Sequence, residues 1–266
     1  MPEGDTVWLT ARRLDAALAG RPLVKAELRV PQLAAVRLDG RSVLEVASRG
    51  KHLLTRLDGG WTLHSHLRMD GAWHLYASGE RWRGGAEHQV RAVLANEERT
   101  AVGYRLPVLE LLPTADEPQV VGHLGPDLLG SGWDPAAALA RLAAGPERPV
   151  GEALLDQRNL AGIGNVYAVE LCFLRGVTPW TPFGEIAAPE RMVALARRLL
   201  EANKARTGHV TTGDTRRGRT HWVYDRAHRP CLRCGTTVMV GEHGPAGQRR
   251  VAYWCPRCQR GPVPGG

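Results

Sequence analysis

The sequence predicts an α+β chain in two parts: an antiparallel β-sandwich with one flanking helix, then a helical half that ends in a cysteine-closed β-hairpin. Three observations predict it. Short β-forming stretches punctuated by Gly, Asp and Pro recur between positions 23 and 113. Apolar residues recur at helical spacing beyond position 135. Two CxxC pairs bracket a hairpin-like segment near the C-terminus.

Asp5 or Thr6 can cap a first helix running to about Leu18 and stopped by Gly20, with Val7, Leu14, Ala17 and Leu18 facing inward. The stretches LVKAELRV, SVLEVAS, KHLLTRL, WTLHSHL, AWHLY, QVRAVLA and TAVGYRL then read as a sandwich of about seven or eight strands. The segment PTADEPQVVGHLGPDLLGSGWDP is turn-rich and ends that pattern. It places an interdomain hinge at 118–132, after a β-domain of 1–117. A helical domain is expected over 133–222, with helices at 135–144, 150–156, 164–175 and 189–205, and a terminal ribbon over 223–261. The glycine-bearing connection at 159–164 resembles a helix–two-turns–helix element, which offers backbone N–H groups at a helix N-terminus to a phosphate. Residues 207–218 carry Thr, Gly and Arg without periodicity and read as a mobile loop.

Charge and cysteine usage narrow the function classes. The net charge is +8, and residues 201–260 alone hold twelve Lys and Arg against four acids, which matches the whole excess. An Arg-rich tail suits phosphate contacts and points to nucleic acid. No stretch approaches the roughly 20 apolar residues of a membrane helix, and the start carries acids where a signal peptide carries bases. A cytoplasmic, nucleoid-associated protein with no membrane partner is expected.

Cys231 and Cys234 form one CxxC, Cys255 and Cys258 the other, with twenty residues between. Each CxxC can set two thiolates on one edge of a tetrahedron, so two close a four-cysteine site for one structural Zn2+. The intervening residues read as a hairpin, with strands at 237–240 and 250–254 and a loop at 241–247. This segment is too small to bury a core, so the metal would supply much of its folding free energy. Cys172 lies on an apolar helix face and reads as core.

Three further stretches are specific. The chain opens Met1-Pro2-Glu3-Gly4-Asp5. Leu155-Asp156-Gln157 is followed by Gly162-Ile163-Gly164-Asn165-Val166-Tyr167-Ala168-Val169-Glu170. The ribbon ends Tyr253-Trp254-Cys255-Pro256-Arg257-Cys258-Gln259. In this order they resemble the formamidopyrimidine-DNA glycosylase and endonuclease VIII family, and the PEGDT opening is more similar to its endonuclease VIII branch. The resemblance implies a bifunctional DNA glycosylase and abasic-site lyase that removes oxidised bases in base excision repair, pyrimidines first. The partner would be damaged double-stranded DNA, bound by a monomer.

Residue by residue, the resemblance implies the following. Removal of Met1 would leave Pro2 with a free secondary amine, and α-amino groups titrate near pH 8, so a neutral fraction exists at physiological pH. That amine would attack C1′ of the deoxyribose and form an iminium, with strand scission following by β- and δ-elimination. Glu3 would protonate the opening sugar ring, for which its pKa would have to rise. Lys51, in Ser48-Arg49-Gly50-Lys51-His52, would contact phosphate and donate a proton in β-elimination. Arg250, with Arg249 as an adjacent competitor, would grip the flanking phosphates and assist δ-elimination. Asn165 would bind phosphate or cap a helix, and His123 occupies a linker position that is basic in endonuclease VIII. In His66-Leu67-Arg68-Met69-Asp70-Gly71, Met69 would fill the hole left by the flipped nucleotide and Arg68 would read the partner base. This stretch is nearer to the formamidopyrimidine side of the family. A purine-directed glycosylase is therefore one alternative, and a non-catalytic zinc-ribbon DNA-binding protein is another of a different class.

Overall fold

In a computed structural model the described residues are 2–244, 247 and 249–264. Contacts divide the chain into two units, Met1–His123 and Leu124–Gly266.

The first unit opens with α1 (Gly4–Leu18) and continues as β1 (Lys25–Leu28), β2 (Val43–Arg49), β3 (His52–Leu57), β4 (Trp61–His66), β5 (Ala72–Ala77), β6 (Val90–Ala95), β7 (Arg99–Tyr104) and β8 (Val108–Pro113). The strands form two four-stranded sheets, ordered β1-β6-β7-β5 and β2-β3-β4-β8, and every pairing is antiparallel. Alternation decides the layering. Leu53 and Leu57 of β3, Leu63 of β4 and Leu109 of β8 point into the core with Ala92, Leu94 and Ala101 of the other sheet. Val7, Ala11, Leu14, Ala17 and Leu18 of α1 join the same core. Burying each leucine contributes about 1.5–3 kcal/mol, so α1 is held by its apolar face more than by its caps.

Three details sharpen or depart from the sequence expectation. The N-cap position of α1 is Glu3, without a side-chain cap bond, and Asp5 lies in the first turn, where its carboxylate accepts from the Thr6 N–H at 2.7 Å. The eighth strand, β8, follows Pro107 in a run, VLELLP, whose periodicity favours neither helix nor strand. Pairing with β4 settles it as a strand. A short helix, α2 (Glu117–Val121), lies within the segment expected to be turn-rich. Glu117 accepts from Arg56 at 2.8 and 2.7 Å and from the Thr62 hydroxyl at 2.7 Å, which pins α2 to the outer face of the second sheet.

The second unit contains α3 (Pro135–Ala143), α4 (Val150–Leu155), α5 (Asn165–Arg175) and α6 (Pro189–Asn203), then β9 (Met239–His243) and β10 (Arg250–Trp254). Asp134 caps α3, accepting from the Ala136 and Ala137 N–H groups at 2.9 and 3.0 Å with Pro135 following. Gly176 ends α5 in the left-handed region at φ 73°. α5 is central. Tyr167, Ala168, Leu171 and Cys172 pack among α3, α4 and α6, while Val169 and Phe173 pack against Val223, Val238, Cys231 and Cys255. Cys172 is the core residue expected, and burial pushes its thiol up to about 12.

The first hairpin strand runs Met239–His243, not 237–240. The cysteine turn explains the shift. Thr236 and Val238 pair back with Cys231, His228 and Arg229, so the ladder with β10 starts only at Met239. Within the expected loop, residues 245, 246 and 248 lie outside those described.

Candidate functional site

In the first unit, Pro2 is half-buried immediately ahead of α1, and Glu3 beside it is fully buried. Glu3 is extended, with φ −115° and ψ −176°, and its carbonyl accepts the Val7 N–H at 3.0 Å, so it stands at the N-cap position of α1.

Lys51 sits in the two-residue turn joining β2 to β3, where Arg49 pairs with His52. Gly50 takes φ 57° at the first turn position, a conformation that favours glycine. The turn is tight because the strands leave only two residues to close it.

Residues 67–71 form a second tight turn after β4, closed by the Gly71 N–H donating to the Leu67 carbonyl at 2.9 Å. A Cβ on Gly71 would lie 2.6 Å from that same oxygen. Arg68 is held in the left-handed region at φ 46°, and its N–H donates to His66 Nδ1 at 2.9 Å. The result is Met69, 61% exposed at the tip. An exposed apolar side chain on a strained, internally bonded turn can be inserted into another surface without first being unpacked.

His123 ends this unit, exposed, with its ring centroid 6.2 Å from that of His52. It belongs to a cluster that sequence reasoning did not single out. His52 Nδ1 lies 2.9 Å from His64 Nε2, and His64 Nδ1 lies 3.1 Å from Glu110 Oε2. His66 meets His52 edge-on at 4.9 Å. Burial, reinforced by His66, His64, His123 and Lys51, pushes His52 down to about 3. Burial followed by Lys51 and Arg68 pushes His66 down to about 4. The signal was present in KHLLTRLDGGWTLHSHL, where His64 and His66 share strand parity, but only the cross-strand register joins them to His52.

In the second unit, the 156–164 connection is organised by its own side chains. Gln157 donates to the Leu155 and Ile163 carbonyls at 2.8 and 2.9 Å and accepts the Gly162 N–H at 3.0 Å. Asn159 donates to the Ala153 carbonyl at 3.1 Å. Arg158, then Arg148, hold Asp156 far below the usual carboxylate range. The connection delivers Asn165 as the first residue of α5, capped by Gly164, so Asn165 is not itself the N-cap. Its Nδ2 donates to the Val251 carbonyl at 2.8 Å, which joins the helix N-terminus to β10 one residue beyond Arg250. Arg250 opens β10, exposed and opposite His243 in the register. Arg249 is engaged by Glu242 at 3.1 Å.

The four cysteines converge. Their sulfurs all lie within 4.8 Å of one another, with Cys231 to Cys258 at 4.0 Å and Cys234 to Cys255 at 3.4 Å. Tetrahedral zinc–thiolate geometry, with bonds of about 2.3 Å, sets sulfurs about 3.8 Å apart, so these cysteines can hold such an ion.

Glu170 ends the stretch that begins at Gly162, and the sequence alone gives it no role. It is fully buried on α5, and its carboxylate accepts the N–H groups of Trp222, Val223 and Tyr224 at 2.9, 2.8 and 2.9 Å and the Thr211 hydroxyl. With Thr211 N–H donating to Thr220 and Asp214 bridging Arg216 and Arg219, this ties down the loop expected to be mobile at 207–218.

Residues 1–105 match the model of the formamidopyrimidine-DNA glycosylase N-terminal domain. The chain is 61% identical to a probable endonuclease 8 2 of Streptomyces coelicolor, over 99% of this chain and 96% of that one. It is 48% identical to the DNA-(apurinic or apyrimidinic site) lyase Nei2 of Mycolicibacterium smegmatis, over 97% and 99%. The fold is similar to that of Lactococcus lactis formamidopyrimidine-DNA glycosylase in complex with DNA containing an abasic site. The TM-score is 0.78 at 22% identity, covering 97% of this chain and 100% of that one.

Proposed function

The chain belongs to the formamidopyrimidine-DNA glycosylase and endonuclease VIII family, and from that premise we propose that Pro2, once Met1 is removed, is the nucleophile of its reaction. The protein is a DNA glycosylase and abasic-site lyase of base excision repair. The position of a half-buried Pro2 one residue ahead of Glu3, which is fully buried at the start of α1, carries the assignment.

The Pro2 nitrogen forms a bond to C1′ as the bond from C1′ to the base breaks, and the proton that the amine carried passes through solvent to the departing base. Glu3 gives a proton to the ring oxygen as the sugar opens to an iminium. The iminium acidifies C2′. A C2′ proton passes to solvent, its bonding pair forms the C2′–C3′ double bond, and the C3′–O bond breaks with the Lys51 ammonium donating a proton to the departing 3′ phosphate. Asn165, at the N-terminus of α5, and Arg250, on the hairpin tied to Asn165 through Val251, bind phosphates, and Arg250 assists δ-elimination. Met69 fills the stack vacated by the flipped nucleotide, with Arg68 beside the partner base. His123 adds a minor contact.

The substrate we assign is damaged double-stranded DNA, oxidised pyrimidines first, bound by a monomer. Cys231, Cys234, Cys255 and Cys258 would hold one Zn2+, whose contribution is to fold the hairpin that carries Arg250. Among the described residues no helix is long and apolar enough to cross a membrane.

Borohydride reduction with abasic DNA tests the nucleophile. A covalent adduct mapping to Pro2 is expected, and Pro2→Gly should lose lyase activity while binding persists. An adduct on another side chain would refute the assignment, and failure to trap any adduct with processed protein would favour a binding module. Duplexes with thymine glycol, dihydrouracil or 8-oxoguanine rank the pyrimidine and purine readings.

A further inference from the structure

We propose that Glu110, His64 and His52 form a positioning chain that fixes His52 as its Nδ1-protonated tautomer and thereby orients the ammonium of Lys51, an inference that rests on the role given to Lys51 above.

Register assembles the chain. Leu53, Leu63 and Leu109 point into the sandwich core, so His52, His64 and Glu110, each one residue away, share the opposite face of the second sheet. β4 and β8 place His64 directly across from Glu110, and β3 and β4 place His52 across from His66 and diagonal to His64. The contacts are then ordered by their hydrogens. The Glu110 carboxylate, exposed at the solvent end, can only accept, so His64 donates from Nδ1 at 3.1 Å. A neutral His64 then has a bare Nε2, which accepts from His52 Nδ1 at 2.9 Å. A neutral His52 is left with a lone pair on Nε2.

The surroundings keep His52 neutral. His64 is 3% exposed, and the His52 ring lies within 18° of its plane with centroids 5.1 Å apart, the arrangement of an in-plane hydrogen bond. The charged and titratable groups facing His52 are Lys51 from the β2–β3 turn, His64 and His66 from β4, and His123 from the end of the unit; Arg68 adds its charge near His66. All are cationic or can become so, and burial adds to their effect in driving His52 down to about 3. His52, the residue that follows Lys51 out of the β2–β3 turn, therefore offers an acceptor at Nε2 in place of a second cation. Glu110 supplies the direction: without a carboxylate at that end, nothing selects the Nδ1–H form of His64 over its alternative.

The test uses Glu110→Gln, safe for folding because Glu110 is exposed, with Glu110→Asp as rescue. Nitrogen-15 spectra of the imidazoles in the full-length protein should show His52 protonated on Nδ1 in the wild type and a mixture of tautomers in Glu110→Gln. In the same variant, single-turnover β-elimination on preformed abasic DNA should slow about 5- to 20-fold and its pH profile should shift, while the Kd for that DNA holds and Glu110→Asp restores both. An unaltered tautomer, or an altered tautomer with an unaltered elimination rate and pH profile, overturns the proposal. Lys51→Ala separates this from its premise. Wild-type elimination in that variant would overturn the role of Lys51 itself, and the tautomer readout does not depend on it.

Discussion

Replacing Glu170 should destabilise the second unit more than any surface change, in a graded way that geometry dictates. The carboxylate takes three backbone N–H bonds at 2.8–2.9 Å, shared between its two oxygens, and the Thr211 hydroxyl besides. Hydrogen bonds to a charged group are each worth about 1.5–3 kcal/mol, and they do not add fully. Glu170→Gln can keep its amide oxygen toward Val223 and Tyr224, but it then turns an NH2 toward the Trp222 N–H. One bond becomes a donor–donor clash and the others lose their charge, a cost of about 2–3 kcal/mol. Glu170→Ala leaves three N–H groups without an acceptor beside the buried Val223 and opens a void next to α5, a cost of about 4–6 kcal/mol. For a unit of this size roughly 3–5 °C of Tm follows each kcal/mol. Thermal melts should therefore show Glu170→Gln lowered by about 6–15 °C and Glu170→Ala by about twice that. Limited proteolysis should open first within residues 207–224. If Glu170→Gln melts with the wild type and resists protease equally, the carboxylate is not what holds this segment, and the reasoning fails.

Further outcomes follow from other contacts. Gly71→Ala pushes a methyl against two backbone oxygens, at 2.6 Å from Leu67 and 3.2 Å from Arg105, so the turn must open at a cost of about 1–3 kcal/mol. Excision of a damaged base from duplex should fall while cleavage of a preformed abasic site is largely spared, and equal loss of both would count against the wedge role of Met69. Chelation or Cys255→Ser should release one zinc per chain and weaken DNA binding at least tenfold, read by a chromogenic chelator and fluorescence anisotropy; tight binding by the metal-free protein would contradict the ribbon's role. Acid should destabilise the fold through His52, His66 and His243, which burial, foremost among the causes, pushes from 6.5 to about 3, 4 and 4. Each binds its proton more weakly folded than unfolded, so stability present above pH 6.5 is lost as pH falls toward 3–4, with a slope of up to about 1.4 kcal/mol per unit for each. Urea midpoints measured between pH 7 and 4 check this, and a midpoint that rises on acidification would reverse the sign.

Much of this protein is legible in its sequence, because its strongest signals are local. A CxxC turn presents two thiolates from four consecutive residues, a strand announces itself by parity, and α1 by the 3.6-residue spacing of Val7, Leu14 and Leu18. The four cysteines, the order of the elements and the family-specific stretches therefore needed only the sequence. What tertiary structure decided are relations between residues far apart in the chain. β8 is a strand because β4 offers it a ladder. β9 starts at Met239 because Val238 is already committed to Arg229 and His228. Glu170 is an anchor because Trp222, Val223 and Tyr224 return to it after some fifty residues. His52, His64 and Glu110 become one chain only through register, and a shift by one residue would send each to the opposite face of its strand. Propensity and spacing act over a few residues, whereas a buried polar group takes its meaning from whichever distant partner packing brings within hydrogen-bonding reach.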